Sequence, residues 1–176
     1  MQQTLLALCA VAVFSIYALN STRDEAAMEV RSVTSEGEHA AESVARDRLA
    51  FAERLAFDEQ DIGRLSGVRI NPPTSAIGPE VDETTAALFD DLDDLHRLAE
   101  TRTADAVGGA GTLLFDVTYA VRYVVPASLA SSAVPTLAKE VTVTVVEVPS
   151  ATTRGRPEIR ATLRKVFTPA GMASLR

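Results

Sequence analysis

The sequence predicts an α+β protein in which one long N-terminal helix packs on a C-terminal antiparallel sheet of three or more strands. Between residues 4 and 63 there is no proline and only one glycine, Gly37, so a single helix can run through this region. Prolines and glycines cluster in the middle of the chain, and three later segments alternate apolar and polar residues. Helix and strands are therefore segregated along the chain.

We divide the chain into four segments: an apolar helix over 1–22, its amphipathic continuation over 23–62, a loop region with a short helical segment over 63–111, and a sheet over 112–176. The first segment is apolar from Leu5 to Leu19 except at Ser15. We expect its large side chains to make an assembly surface: Leu5, Leu6, Leu8, Val11, Val13, Phe14, Tyr17 and Leu19.

Three interpretations of this apolar segment compete. A secretory signal is disfavoured because no basic residue precedes the segment and no small-x-small cleavage site follows it. A membrane anchor fits better, although the stretch is shorter than the roughly 20 residues of a comfortable span. In the third interpretation the segment is the apolar end of a longer helical rod.

The residues after position 22 favour the rod. Apolar residues recur there at spacings of three and four, as in an amphipathic helix: Val30, Val33, Ala40, Ala41, Val44, Leu49, Ala52, Leu55 and Ala56. A helix of roughly 58 residues would be about 85 Å long. Weak helix formers at Thr34, Ser35 and Gly37 predict a bend or a local break.

The remaining segments predict a loop and then strands. Pro72, Pro73, Gly78 and Pro79 indicate an exposed connection, and Gly108, Gly109 and Gly111 indicate a hinge. In TLLFDVTYAVRYVV every second residue is apolar, with Phe115, Tyr119 and Tyr123 predicted to face the helix. KEVTVTVVEV alternates up to Val145 and then shifts register at Val146, and IRATLRKVF forms a further strand.

Composition excludes several functions. The chain has 24 acidic and 17 basic residues, a net charge of -7, so it offers no basic face for nucleic acid. Its single cysteine, Cys9, allows no intramolecular disulfide. No nucleophile motif or phosphate-binding glycine loop is present, and the two histidines, His39 and His96, are too few for a catalytic or metal set. We expect no enzyme and no cofactor, and we place both histidines at the surface.

An acidic cluster and several hydroxyls are candidate sites of other kinds. The aspartates at 90, 91, 93 and 94 can supply oxygen ligands to a structural calcium, but the calcium-loop pattern is not met. We therefore favour a solvated acidic turn or helix start over a metal site formed by Asp90, Asp91, Asp93 and Asp94. Candidate glycosylation positions are Asn20, which begins a sequon, and the loop residues Ser131, Ser132, Thr136, Thr152 and Thr153.

Four stretches together carry a family resemblance. They are MQQTLLALCAVAVFSIYALN, the helix ending ARDRLAFAERLAFDEQDIG, the acidic LFDDLDDLHRL, and the order of FDVTYAVRYVV, KEVTVTVVEV and IRATLRKVF. With these features the chain resembles the type IV pilin superfamily, the pilins and pseudopilins that build helical filaments. Pilins usually carry a glutamate at the fifth mature position, where this chain has Leu5, so register along a filament would depend on apolar packing.

The resemblance implies a structural subunit of an extracellular, cell-surface filament that is anchored in the inner membrane before assembly. Its implied partners are other copies of the chain, a prepilin peptidase and the pilus assembly machinery. Two alternatives stay open. The chain can be a minor pilin or pseudopilin that primes or caps an assembly, or a monomeric, membrane-tethered extracytoplasmic binding module.

Overall fold

The structure, a computed structural model, describes a long helix and four paired strands. It covers residues 2–59, 73–81, 83, 85–105, 111–150 and 157–169, and the side chains of Gln2 and Leu5 are outside it. The predicted α+β arrangement is confirmed, with one long N-terminal helix and one antiparallel sheet. The predicted hinge at Gly108 and Gly109 and the loop proline Pro72 lie outside the described residues.

The first element, α1, is an unbroken α-helix over Gln2–Ala52. At 1.5 Å per residue it is about 76 Å long. The prediction that it would continue to residue 62 was wrong. Beyond Ala52 the chain turns, because the Ala56 N–H donates to Asp90 O at 2.8 Å and Ala56 O accepts the Leu92 N–H at 3.0 Å. These tertiary hydrogen bonds replace the ones that would have extended the helix.

In the described part of the chain, four strands form one antiparallel sheet in the order β1-β2-β3-β4. Their bounds are Ala99–Asp105 for β1, Thr112–Tyr123 for β2, Lys139–Glu147 for β3 and Arg160–Phe167 for β4. Each strand pairs with its sequence neighbours, as in a meander. The short helical element before β1 is a single 3-10 turn over Asp93–Leu95.

Two details of the sheet differ from the predictions. Strand β1 lies inside the range 63–111 that we expected to be loop with a short helix, because this edge strand is mostly exposed and its polar sequence lacks an apolar alternation. The register shift at Val146 does not occur. Glu147 continues the buried face of β3, and pairing with β2 and β4 stays continuous from Val145 to Val146.

The core lies between the second half of α1 and one face of the sheet. Helix residues Ala41, Ala45 and Ala52 are fully buried, as are Val117 and Val143 from the facing strands. Small residues on the helix allow the sheet to approach closely. Phe115, Tyr119 and Tyr123 belong to the buried face of β2, as their alternation predicted.

Gly37 has a packing role. The helix passes through Thr34, Ser35 and Gly37 without a break, which corrects the expectation of local melting there. Gly37 is buried, and a Cβ at this position would overlap the Ile159 side chain that precedes β4. The glycine therefore lets Ile159 pack against the helix backbone.

Candidate functional site

The N-terminal half of α1 is an apolar surface that the rest of the chain leaves uncovered. We call residues 5–19 the assembly segment, residues 20–36 the neck, and everything from Gly37 onward the head. All the predicted assembly residues with described side chains are between 60% and 72% exposed: Leu6, Leu8, Val11, Val13, Phe14, Tyr17 and Leu19. Leu5 lies in the helix, but its side chain is outside the described residues.

Two hydroxyl groups in the assembly segment and at the start of the neck are satisfied within the helix. The Ser15 hydroxyl donates to Val11 O at 2.8 Å, and the Thr22 hydroxyl donates to Leu19 O at 3.0 Å. Backbone groups inside a helix are already hydrogen-bonded to one another. Few polar groups of this surface would therefore lose a hydrogen bond in an apolar environment. Part of α1 is long and apolar enough to cross a membrane, and none of that stretch is buried in the protein.

Apolar exposure continues past the assembly segment into the neck. Charged residues begin with Arg23, Asp24 and Glu25, yet Met28 is 69% exposed and Val30 is 44% exposed on the following turns. Among the described side chains, the first buried position of the helix is Gly37. Roughly 50 Å of helix therefore extends beyond the head.

The acidic cluster is a second feature of note, and it is buried. Asp91, Asp93 and Asp94 are each at most 2% exposed, whereas Asp90 is exposed. The expected solvent exposure was wrong for these three residues, although Asp93 and Asp94 do begin a short 3-10 helix. The physical reason is that the carboxylates have buried partners: the Lys139 ammonium donates to Asp93, and backbone N–H groups of the turn donate to Asp91 and Asp94.

Lys139 is the inward-facing first residue of β3 and is 0% exposed. Its ammonium donates to Asp93 Oδ2 at 2.7 Å, to Asp58 Oδ2 at 3.2 Å and to Phe57 O at 2.6 Å. The same nitrogen lies 4.7 Å from the ring centroid of Phe57 and 5.3 Å from that of Tyr123. A buried ion pair inside an aromatic cage therefore joins the segment that follows α1, the acidic turn at residues 90–94 and β3.

Thr74 connects the two carboxylates. Its hydroxyl lies 3.0 Å from Asp58 Oδ2 and 3.2 Å from Asp93 Oδ2, and its N–H donates to Asp58 Oδ2 at 3.0 Å. The Tyr123 hydroxyl donates to Thr74 O at 2.6 Å. Asp58 is thus oriented by several donors, while Asp93 Oδ1 is buried without a hydrogen-bond partner among the described residues.

The other two buried aspartates shape the acidic turn itself. Asp91 Oδ1 accepts the N–H groups of Asp93 and Asp94, and Asp94 Oδ2 accepts those of Asp90 and Asp91. Burial, and then the Asp93 charge, raises the pKa of Asp91 to about 7. Burial, and then the hydrogen bond with Glu83, raises the pKa of Asp94 to about 6. Burial also raises the pKa of Asp93, against the opposing effect of Lys139.

The four aspartates predicted as calcium ligands do not form one ligand group. Among the described residues, the group of three carboxylates whose oxygens lie within 4.8 Å of one another is Glu80, Glu83 and Asp94. Only Asp94 belongs to both sets. Exposed acidic groups often come together without an ion. A structural calcium therefore stays a prediction.

Sequence reasoning missed Lys139 and Asp58. A usable signal was present for the lysine. In a strand every second side chain lies on the same face, so Lys139 shares the inward face with Val141, Val143 and Val145. A lysine on a buried strand face requires an anionic partner. Nothing local in the sequence identified Asp58 as one of its partners.

The remaining predicted positions are dispersed. His39 is exposed as expected, but His96 is half-buried and its Nδ1 accepts the Val121 N–H at 3.2 Å. Asn20 and Ser131 are exposed. The hydroxyls of Ser132 and Thr136 donate to backbone carbonyls in the loop before β3. Thr152 and Thr153 lie outside the described residues.

Comparisons with known proteins add no relative. No protein-family profile, curated protein sequence or solved structure matches this chain significantly. The architecture, a long N-terminal helix with an apolar exposed half and a four-stranded antiparallel sheet, is compatible with a pilin-like fold.

Proposed function

We propose that this chain is a structural subunit of an extracellular helical filament of the type IV pilus kind, held in a membrane before assembly. The observation that carries the proposal is the uncovered assembly segment, which is continuous with the helix that anchors the head. Because one unbroken helix connects them, the packing of the assembly segment would determine where each head lies.

The exposed apolar area requires a partner. The assembly segment presents on the order of 1,000 Å² of apolar surface, well above the few hundred Å² that a soluble monomer usually exposes. Lipid can cover this surface, and so can the same segment of other copies. Identical subunits that meet head to tail without closing a ring produce an open helical filament. Its interior would consist of assembly segments and its surface of heads.

The neck favours copies of the chain as the final partner. Lipid covers the assembly segment but does not extend to Met28 and Val30, which are exposed beyond the charged residues Arg23 and Asp24. Packing between neighbouring helices would cover them. The neck carries charges of both signs, so helices packed at a suitable offset can pair them.

The single cysteine offers a direct test, because Cys9 is exposed in the assembly segment. A nitroxide attached to Cys9 of the full chain in cells would report distances between copies by pulsed electron resonance. Assembled subunits should give a defined short-range distance distribution. A broad, featureless distance distribution, as expected for single copies spread through the membrane, would contradict the filament and favour a tethered monomeric binding module.

A matched label separates assembly from crowding. Cys9→Ser combined with Ser43→Cys moves the label to an exposed helix position in the head. A filament predicts that this label also gives a defined distribution, at longer distances than Cys9 because the heads are farther from the filament axis. Identical distributions from the two labels would indicate aggregation and would contradict the proposed packing. A defined signal from only a small fraction of the chains would instead favour a minor pilin or pseudopilin role.

A further inference from the structure

We propose that Lys139 and Asp93 form an intramolecular isopeptide bond, with Asp58 as the proton carrier. The proposal concerns the interior of the head and is independent of filament assembly. Its basis is the arrangement of one amine and two carboxylates in a fully buried, aromatic-lined site.

The amine and the carboxyl group are held at reacting distance. Lys139 Nζ is 2.7 Å from Asp93 Oδ2, and both side chains are almost completely removed from solvent. An amine nitrogen at this distance from a carboxylate oxygen lies roughly 3–3.5 Å from the carboxyl carbon, the separation of a near-attack arrangement. The Phe57 and Tyr123 rings restrict the amine to this position.

The two carboxylates are placed for different roles. Asp58 Oδ2 is anchored by the N–H and hydroxyl of Thr74 and lies 3.2 Å from the amine, so its charge is stabilised where it can accept a proton. Asp93 has a buried oxygen, Oδ1, without a partner among the described residues. Burial also favours its neutral acid form, the form that an amine can attack.

The reaction balances without a co-reactant. A proton first moves from the Lys139 ammonium to Asp93, which gives a neutral amine and a carboxylic acid. The amine lone pair then attacks Asp93 Cγ and forms the C–N bond. Asp58 takes a proton from the nitrogen and returns it to the departing hydroxyl, the C–O bond breaks, and one water molecule leaves. The ammonium and one carboxylate are replaced by a neutral amide, and Asp58 is regenerated.

Burial favours this product in two ways. Two charges that are costly to keep out of water disappear, and the remaining carboxylate keeps the donors of Thr74. The enclosed site also excludes the water needed for hydrolysis. The bond would tie the acidic turn to β3 across 46 positions of sequence.

Tryptic peptides of the folded full chain, purified in detergent micelles, distinguish the candidates. Asp58 falls in peptide 55–64 and Asp93 in peptide 70–97. Trypsin does not cleave after an acylated lysine, so a cross-linked Lys139 leaves peptide 123–154 intact. We expect mass spectrometry to detect 70–97 joined to 123–154, lighter than their sum by one water molecule, with fragmentation locating the branch at Asp93.

Two wild-type outcomes would overturn the proposal. Recovery of peptides 70–97 and 123–139 separately, at full mass, would show that the site is only an ion pair. A branch between 55–64 and 123–154 would overturn the roles assigned to the two aspartates. Both results come from the wild-type chain, so neither depends on a variant that folds.

Variants then test the proton carrier. Asp58→Asn keeps an oxygen acceptor for the Thr74 donors but removes the base, and we expect cross-linking to slow at least tenfold in the folded variant. Asp90→Asn changes an exposed neighbour of the acidic turn and should cross-link at the wild-type rate. Equal rates for folded Asp58→Asn and wild type would overturn the role of Asp58.

Discussion

Lys139 occupies an inward-facing site where most proteins place an apolar side chain. Lys139→Met can neither pair with Asp58 and Asp93 nor cross-link to Asp93, so both carboxylates stay buried without a partner for their charge. We predict that this variant lowers the free energy of unfolding by at least about 3 kcal/mol, the lower end of the usual cost of leaving a buried charge uncompensated. Chemical denaturation followed by the circular dichroism of the sheet measures this change.

A matched control is available on β4. Lys165 also pairs with an acidic residue, Glu53, but both side chains are nearly half exposed. Lys165→Met should cost at most about 1 kcal/mol, because exposed pairs are screened by water. Equal losses from the two variants would contradict a stabilising role for the buried contacts of Lys139 with Asp58 and Asp93.

Asp91 predicts an unusual pH dependence of stability. Its pKa rises from 3.8 to about 7 on folding, and the largest cause is the burial of its carboxyl group. The folded state therefore binds more protons than the unfolded state between pH 4 and 7. This contribution to stability is complete below about pH 4 and is lost as the pH rises through about 7.

Asp91→Asn should remove much of that loss, since Asn Oδ1 can still accept the N–H groups of Asp93 and Asp94 without carrying a charge. We expect the free energy of unfolding of the variant to fall less than that of wild type between pH 4 and 7. Denaturation at several pH values measures the difference, and Asp90→Asn is the exposed control. Parallel profiles for Asp91→Asn and wild type would refute the assignment.

Among single residues, the sequence contains a signal for the burial of Lys139 but none for the burial of the acidic cluster. The burial of Lys139 could be predicted because it lies on the same face of β3 as the apolar residues at every second position. The burial of the acidic cluster could not, because four aspartates in five positions normally indicate solvent exposure. Their cation is some 45 residues away in the sequence, and only the fold brings it to them.

At the scale of elements, the contact of α1 with Ile159 is a sensitive point of packing. Gly37→Ala gains helix propensity of about 1 kcal/mol, but its Cβ overlaps the buried Ile159 side chain. Overpacking costs about 1–3 kcal/mol. We predict a net loss of about 1 kcal/mol in the free energy of unfolding. Ser35→Ala, at an exposed position of the same helix, should not destabilise.

A double-mutant cycle isolates the cause. Ile159→Val removes the Cδ1 atom that meets the new Cβ. In this background Gly37→Ala should become neutral or stabilising, because the remaining contact with Cγ1 at 3.2 Å needs only a small shift and the gain in helix propensity then dominates. An unchanged loss in the double variant would contradict the proposed overlap.

The elements differ in how well the sequence predicted them. The strict alternation of β2 predicted both the strand and its buried face. Strand β1 was missed because an exposed edge strand with sequence AETRTAD carries no apolar period. The end of α1 was misplaced because the helical pattern continues past Ala52, and only the pairing of Ala56 with the acidic turn stops it.

At the scale of the whole molecule, the chain combines a head that packs on itself with a helix that extends from it unpartnered. Phe14 lies within the assembly segment and is 71% exposed. We predict that Phe14→Asp reduces membrane retention and abolishes polymers, because a carboxylate there would meet either lipid or apolar helices. Cell fractionation and electron microscopy measure both effects.

The control carries the same charge on the head. Ser43→Asp lies on an exposed face of the same helix, so it should leave retention and polymers unchanged. If Phe14→Asp behaved like Ser43→Asp, the assembly segment would not be the contact surface. If both variants abolished polymers, net charge rather than position would be responsible, which would contradict the same conclusion.

The most direct test of the filament is electron microscopy of material sheared from the native cell surface, with mass spectrometry of the same fraction. We predict uniform filaments in which this chain is the dominant protein. Sheared material that lacks the chain, while the chain stays in the membrane fraction, would contradict its role as the structural subunit.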